Sequence, residues 1–431
     1  MLPARDTIFA RSSGAGRAGV SVFRISGPRA GEVLDAFCGG RGKPRLARLV
    51  TMRLTDGTVL DQGLALWFPA PASFTGEDVA ELHLHGSPAV ERAFGDAMIA
   101  FGLSPATAGA FTLRAFEAGK LDLAQAEGVG DLLAAETEAQ RRQALGQLGG
   151  ALSARAEGWR AQVLNALAAY EAAVDFPDEE DVPDDIAARA TGPLEALRAD
   201  MIDALAGAGG AARLREGVTV VITGPPNAGK SSLLNRLAGT DRAIVSEEAG
   251  TTRDLLEARI EVAGHLVTLI DTAGLREGEG AIEREGIARA RQAAETADLR
   301  VEVRDAVTVM GPPPSDGNAL YVANKTDLLS STPPKGWLAV SAMRTDGIVP
   351  LVDALTERIA AGGGEGALTR ERHVTLVRSA VDRTKLVGGG LPPELASETL
   401  RLVLRDLEEL MGRIAPDDVL DEVFAGFCIG K

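Results

Sequence analysis

The sequence predicts a multidomain chain of mixed α+β and α/β class, and three observations carry that prediction. A chain of 431 residues exceeds what one hydrophobic core supports, so two or three domains follow from length. Strand-like and helix-like stretches alternate from Gly217 to about Ile359, the pattern of a parallel sheet with crossover helices. Apolar residues at helical spacing flank that stretch on both sides, so the α/β unit reads as an insertion into a helical domain.

From Asp6 to about Ala118, short β-like runs ("AGVSVFRI", "GLALWF", "DVAELHLHG") are separated by Gly/Pro turns and by a helix predicted after Pro88, which makes a compact α+β domain. From Lys120, "LDLAQAEGVGDLLAAETEAQRRQAL" and "LSARAEGWRAQVLNALAAYEAAV" predict long amphipathic helices with a break at Gly149-Gly150. The stretch "EAAVDFPDEEDVPDD" holds eight acids, no bases and helix-interrupting prolines, and reads as a solvated loop. After "AAGGGEGAL", a flexible linker by composition, helical spacing returns from Thr369 onward. The boundaries are 1–118 for the N-terminal domain, 119–213 with 369–431 for the helical domain, and 214–368 for the insertion.

A hydrophobic fraction of 45% with 25% charged residues describes a folded globular chain. The net charge of -16 excludes an overall basic footprint and leaves any RNA contact to a local patch. Cys38 and Cys428 are too few for a disulfide framework and lack zinc-ligand spacing, which fits a reducing, cytoplasmic setting. No apolar run is long enough to span a bilayer, and "MLPARDTIFARSS" lacks a signal peptide's apolar core, so a soluble protein is expected. The tail "FCIGK" carries no flexible polar filler, which points to a docked terminus.

Four motifs stand in order in the insertion. "GPPNAGKS" (Gly224 to Ser231) lies between the strand-like "VTVVIT" and the helix-like "SSLLNRLAG", the strand, loop and helix order of a phosphate-binding loop. Its glycines let backbone N–H groups curl round phosphates, Lys230 supplies a point charge for the β/γ oxygens, and Ser231 is a Mg2+ ligand. "DTAG" follows "HLVTLI", so Asp271 sits at a strand end to reach Mg2+ through water and Gly274 offers its N–H to the γ-phosphate. "NKTD" follows "ALYVA"; Asp327 accepts from N1–H and the exocyclic amine of guanine, a donor pair that adenine lacks, while Asn324 meets the base edge and Lys325 covers its face. "SAM" (Ser341, Ala342, Met343) takes the place of the last base-contacting loop. The insertion therefore reads as a Ras-like P-loop GTPase domain.

The glutamine that orients water in Ras-type GTPases is replaced here by Leu275, so another group must do that work; "LREGEGAIEREG" offers Arg276, Glu277, Glu279, Glu283 and Glu285. In "VSEEAGTTRD", Thr252 offers a hydroxyl to Mg2+, and the segment, with Asn227, suits a cage for a monovalent cation that replaces the charge of an arginine finger.

On these residues the chain resembles the MnmE (TrmE) family of tRNA-modification GTPases. The resemblance covers essentially its whole length, through "FRISGP", "FTGEDVAELHLHG", "RAFEAGKLDLAQAEG", "DFPDEE", "GPPNAGKSS", "AGTTRD", "DTAGLRE", "NKTD" and "FCIGK". It implies a homodimer whose N-terminal domain binds tetrahydrofolate, as the 5-formyl or 5,10-methylene form. It also implies work with MnmG, an FAD-containing partner, to place an aminomethyl or carboxymethylaminomethyl group on carbon 5 of the wobble uridine of certain tRNAs.

Carried over, the folate contacts are Arg24, Glu81, Lys120 and Lys431; the water-orienting acid is Glu283; and the K+ ligands are Asn227, Ser246, Glu248 and Thr251. The GTP contacts extend to Ala228, Gly229 and Ser232, to Glu247, Ala249 and Gly250, and to Thr272 and Ala273. Cys428 is a candidate nucleophile and equally a packing residue. The chain departs from the family pattern at Pro225-Pro226, at Ser87 where a second glycine is common, at Glu248, and in a short stretch before "NKTD". Two other readings stand beside this one: a GTPase switch in ribosome or RNA assembly without one-carbon chemistry, and a folate-dependent aminomethyl transferase active without MnmG.

Overall fold

The computed structural model describes residues 6–175, 189–240, 243–244, 257–271, 297–315, 317–344, 346–360, 366–388, 391–414 and 416–430. They show a multidomain α+β and α/β protein that divides into two compact units, residues 1–130 with 147–161 and 404–431, and residues 131–146 with 162–403.

The first unit holds a six-stranded sheet in the order β3-β4-β5-β2-β1-β6, made of β1 (Ile8–Arg11), β2 (Ala18–Ser26), β3 (Arg48–Arg53), β4 (Val59–Phe68), β5 (Val79–Gly86) and β6 (Ser104–Pro105). Alternation of apolar and polar residues along β2 and β5 puts Phe23, Ile25, Leu82 and Leu84 on one buried face, against the helices Ala30–Cys38 and Pro88–Ala100. Phe94 stacks there on Phe23 and meets Phe9 edge-on, with ring centroids 4.4 and 5.9 Å away. The predicted helix after Pro88 begins with Pro at its first position and is capped by Ser87, whose Oγ accepts from Val90 N at 3.2 Å. Ser87 has extended backbone (φ -118°), so the glycine expected there is not required.

Also in this unit, Leu123, Ala126, Phe424 and Phe427 form a small cluster under the C-terminal residues. The tail is docked: Ile429 bridges Ala108, and Ser12 Oγ donates to the Gly430 carbonyl at 2.9 Å. Gly430 has φ +97°, and a Cβ there would lie 2.1 Å from the Arg11 carbonyl oxygen, so only glycine fits.

The second unit contains the other sheet, in the order β12-β11-β10-β7-β9-β8. Its strands are β7 (Val218–Thr223), β8 (Glu257–Val262), β9 (His265–Asp271), β10 (Leu299–Asp305), β11 (Ala319–Asn324) and β12 (Leu338–Ala339). β12, β11, β10, β7 and β9 run parallel, as expected, and β8 adds an antiparallel edge through its hairpin with β9. Near-continuous apolar runs such as "VTVVIT" reflect burial on both faces. The helices Lys230–Ala238 and Val349–Ala360 supply Leu233, Leu234, Leu351 and Leu355 to that core.

The helices Thr191–Glu216 and Glu371–Gly388 also pack in this unit, and Gly150 (φ +84°) separates the helices Glu138–Leu148 and Ala151–Asp175, at the predicted break. Most of the acidic run from Glu171 to Asp185, residues 176–185, and part of the glycine linker, residues 361–365, lie outside the described residues.

Candidate functional site

The strands of the second sheet end at one edge, and the motif residues meet there. β7 runs into the phosphate loop, and the helix Lys230–Ala238 starts on its last residues. Lys230, 6% exposed, donates from Nζ to the carbonyls of Gly224 (2.8 Å) and Pro225 (3.0 Å), which holds the ammonium inside the loop. Gly229 has φ +89°, and a Cβ there would lie 2.3 Å from Asn324 Nδ2, so the loop and the β11 end approach closer than any side chain allows. Ser231 Oγ donates to Asp271 Oδ2 at 2.6 Å, joining the loop to the end of β9.

The base-reading residues are tied to the same loop. Asn324 is 1% exposed; its Nδ2 donates to the Ala228 carbonyl at 3.0 Å and its Oδ1 accepts from the backbone N–H of Lys325 (2.8 Å) and of Ala342 (3.1 Å). Ser341 Oγ donates to Asp327 Oδ1 at 2.5 Å, which leaves the exposed carboxylate its other oxygen for a ligand. Met343 is 76% exposed and makes the outer lip.

Two residues here escaped sequence reasoning. Arg236 donates from Nε to the Ala342 carbonyl and from Nη2 to that of Met343, both at 3.0 Å, and so fixes the loop after β12. A basic residue in the last helical turn after a phosphate loop was the available signal. Asp305, at the end of β10, bonds Lys325 Nζ from Oδ2 at 2.8 Å and accepts the Val307 N–H at Oδ1 at 3.0 Å. The Lys325 hydrogen bond holds its carboxyl below the ordinary value. Its signal was an acid at the end of an apolar strand beside the loop.

Ser246, Glu247, Glu248, Ala249, Gly250, Thr251, Thr252, Thr272, Ala273, Gly274 and Glu283 lie outside the described residues. Of the expected K+ set only Asn227 is described; it has φ +64° and its carbonyl accepts from Lys325 Nζ at 2.6 Å. No group of three or more His, Cys, Asp or Glu side chains able to hold a metal occurs among the described residues.

In the first unit, β2 and β5 pair Arg24 opposite Glu81. Arg24 bonds Glu81 Oε1 through Nε (2.9 Å) and Nη2 (2.8 Å), with both side chains under one-fifth exposed. The guanidinium also lies 5.6 and 5.7 Å from the ring centres of Phe74 and Phe111. Lys120 is exposed, with its Cε beside Gly76 in the "FTGED" loop. Register sets Ala10 opposite Arg24 and Arg11 opposite Phe23, so the docked tail meets β1 one residue from the level of Arg24. Cys428 is exposed and Lys431 lies outside the described residues. Burial pushes the Cys38 thiol up to about 11, which makes it unreactive at neutral pH. No described helix is long and apolar enough to cross a membrane.

Comparison with known proteins agrees with this arrangement. Residues 7–120 match the family model described as the GTP-binding protein TrmE N-terminus, and residues 123–428 match the MnmE helical domain. The chain is 49% identical over its full length to a tRNA modification GTPase MnmE of Methylorubrum populi, covering 99% of that protein. It is 48% identical over 99% of its length to the same-named protein of Parvibaculum lavamentivorans, covering all of it. With both family models matched and relatives this similar along their whole lengths, the chain belongs to the MnmE family.

Proposed function

We propose that this chain is a GTP-hydrolysing tRNA-modification enzyme. With the FAD-containing partner MnmG it adds an aminomethyl or carboxymethylaminomethyl group to carbon 5 of the wobble uridine, using a tetrahydrofolate one-carbon unit. The observation that carries the nucleotide part is the convergence of Lys230, Asn324, Lys325 and Asp327 at one edge of a parallel sheet. Ligands of open α/β sheets bind outside the carboxyl ends of the strands.

Lys230 and the loop N–H groups hold the phosphates, and Asp327 selects guanine. Ser231 and Asp271 bring hard oxygen donors together, the donor type that would hold Mg2+, and Thr252 is assigned as a further ligand. Mg2+ held by Ser231 and Thr252, with Asp271 beside them, would supply positive charge against the negative charge of the phosphates. Glu283 is assigned to orient water, and Asn227, Ser246, Glu248 and Thr251 to K+. The GTP contacts further comprise Ala228, Gly229, Ser232, Glu247, Ala249, Gly250, Thr272, Ala273, Gly274, Ser341, Ala342 and Met343.

For the folate part, Arg24 and Lys120 complement an anionic glutamate tail, Glu81 complements pterin donors, and Phe74 offers a ring beside them. Lys431 is assigned to the folate contacts, and Cys428, in the docked tail, is assigned as a candidate nucleophile. The domain assignment 1–118, 119–213 with 369–431, and 214–368, and a cytoplasmic homodimer, complete the reading.

The test is twofold. The purified chain should hydrolyse GTP and not ATP, faster in K+ than in Na+. A strain lacking the gene should lose the modified wobble uridine by nucleoside mass spectrometry and regain it when the chain is restored. Hydrolysis without any change in tRNA nucleosides would favour the assembly-switch reading.

A further inference from the structure

Lys325 has two partners at once. Its Nζ donates to the Asn227 carbonyl at 2.6 Å and is paired with Asp305 Oδ2 at 2.8 Å. Both Lys325 (φ +66°) and Asn227 (φ +64°) sit in the left-handed region, which asparagine adopts readily and lysine seldom. Asn324 holds the next loop carbonyl, that of Ala228. Asp305 is itself fixed, because its second oxygen accepts the Val307 N–H at the start of the turn Ala306–Thr308. The carboxylate is thus aimed at the lysine by its own strand end rather than by the nucleotide motifs.

We propose that Asp305 is a positioning residue for the guanine nucleotide, acting through Lys325 to fix the phosphate loop at Asn227. The proposal rests on the GTP reading of this site. An ammonium on a four-carbon stem has many orientations open to it. The Asp305 pair removes most of them, so the stem lies where it covers the base and its tip closes on the loop. The pair is about 30% exposed, so solvent screens its charge and its effect is geometric. Because Lys325 covers the face of the base rather than its edge, Asp305 acts on affinity and leaves guanine selection to Asp327.

The test uses the full chain and a fluorescent GDP, with release followed by stopped flow for wild type, D305A, D305N, K325A and the double variant D305A/K325A. D305A should release GDP about tenfold faster, the scale of one charge-assisted hydrogen bond. D305N, which keeps an acceptor of the same shape and the Val307 cap, should fall between the two. In the K325A background, adding D305A should change release less than twofold. IDP, which lacks the exocyclic amine, should be released faster by the same factor as GDP.

Wild-type release from D305A, or a tenfold effect that persists in the K325A background, would overturn the proposal; the second result would mean that Asp305 only caps its turn. Failure of the wild-type chain to bind GDP at all would overturn the nucleotide reading and this proposal with it, and is distinguished by appearing before any substitution is made.

Discussion

At the phosphate loop, Lys230, Asn324 and Lys325 all donate to loop carbonyls within 3.0 Å, and Ser231 reaches Asp271. In the N-terminal sheet, Arg24 and Glu81 meet across two strands, 57 residues apart in sequence; among the described residues their side chains hydrogen-bond to each other, and His83 Nε2 lies 3.8 Å from Glu81 Oε2. The first arrangement binds side chains to backbone and so shapes a cradle. The second is an ion pair whose groups satisfy one another, an arrangement that serves stability and ligand binding equally well. The contrast teaches that a phosphate cradle announces its use in its geometry, whereas a cross-strand pair acquires one only when a ligand competes for it.

The largest expected effect lies in the cradle. Lys230→Ala removes the ammonium held by the Gly224 and Pro225 carbonyls, and GTP turnover should fall by about 100-fold or more, measured as phosphate release at saturating GTP. Turnover within tenfold of wild type would break the contrast, since the cradle would then be dispensable. Asp327→Asn should come next. It exchanges an acceptor for a donor at the guanine amine, so GTP binding should weaken by about 30-fold while xanthosine triphosphate binding improves. Unchanged preference in a competition titration would remove Asp327 from the base site.

In the N-terminal sheet, Glu81→Ala leaves the Arg24 guanidinium unpaired between Phe74 and Phe111. Binding of 5-formyl-tetrahydrofolate should drop about tenfold, with GTP hydrolysis unaltered. Loss of thermal stability by about 3 kcal/mol with no change in folate affinity would instead mark the pair as structural. Gly430→Ala tests the docked tail: its Cβ cannot fit 2.1 Å from the Arg11 carbonyl, so the tail should be cut faster by carboxypeptidase while nucleotide release stays within about twofold. A protected tail would mean that the Ile429 and Ser12 contacts suffice.

How far the sequence revealed these two regions follows from the same contrast. "GPPNAGKS" and "NKTD" could be read because each keeps its residues within one turn of chain, so fixed spacing maps onto fixed geometry. Central strands of both sheets were legible in runs such as "VTVVIT" and "DVAELHLHG", where the burial period is continuous or alternating, whereas β1, β3, β6 and β12 were not read. The antiparallel β8 was not, because the Ala263-Gly264 turn that reverses it carries weak signals and Ala263 takes φ +52° against its preference. Arg24 and Glu81 were reachable only through family resemblance, for their meeting depends on strand register that spacing does not encode. Asp305 and Arg236 were missed since each acts on a motif from outside it.

The smallest expected effect concerns pH and separates the two kinds of charge. The hydrogen bond from Lys325 lowers the Asp305 carboxyl from its ordinary 3.8, so the carboxylate favours the folded state. A depressed folded value means that this stabilisation is complete above pH 3.8 and is lost as pH falls through the lowered value. Between pH 6 and 8 Asp305 therefore changes no charge, and GDP release from wild type and from D305N should both be flat across that range. A release rate from wild type that climbs below pH 6, absent in D305N, would show that the carboxylate titrates far above its ordinary range, which its hydrogen bonds to Lys325 and Val307 forbid.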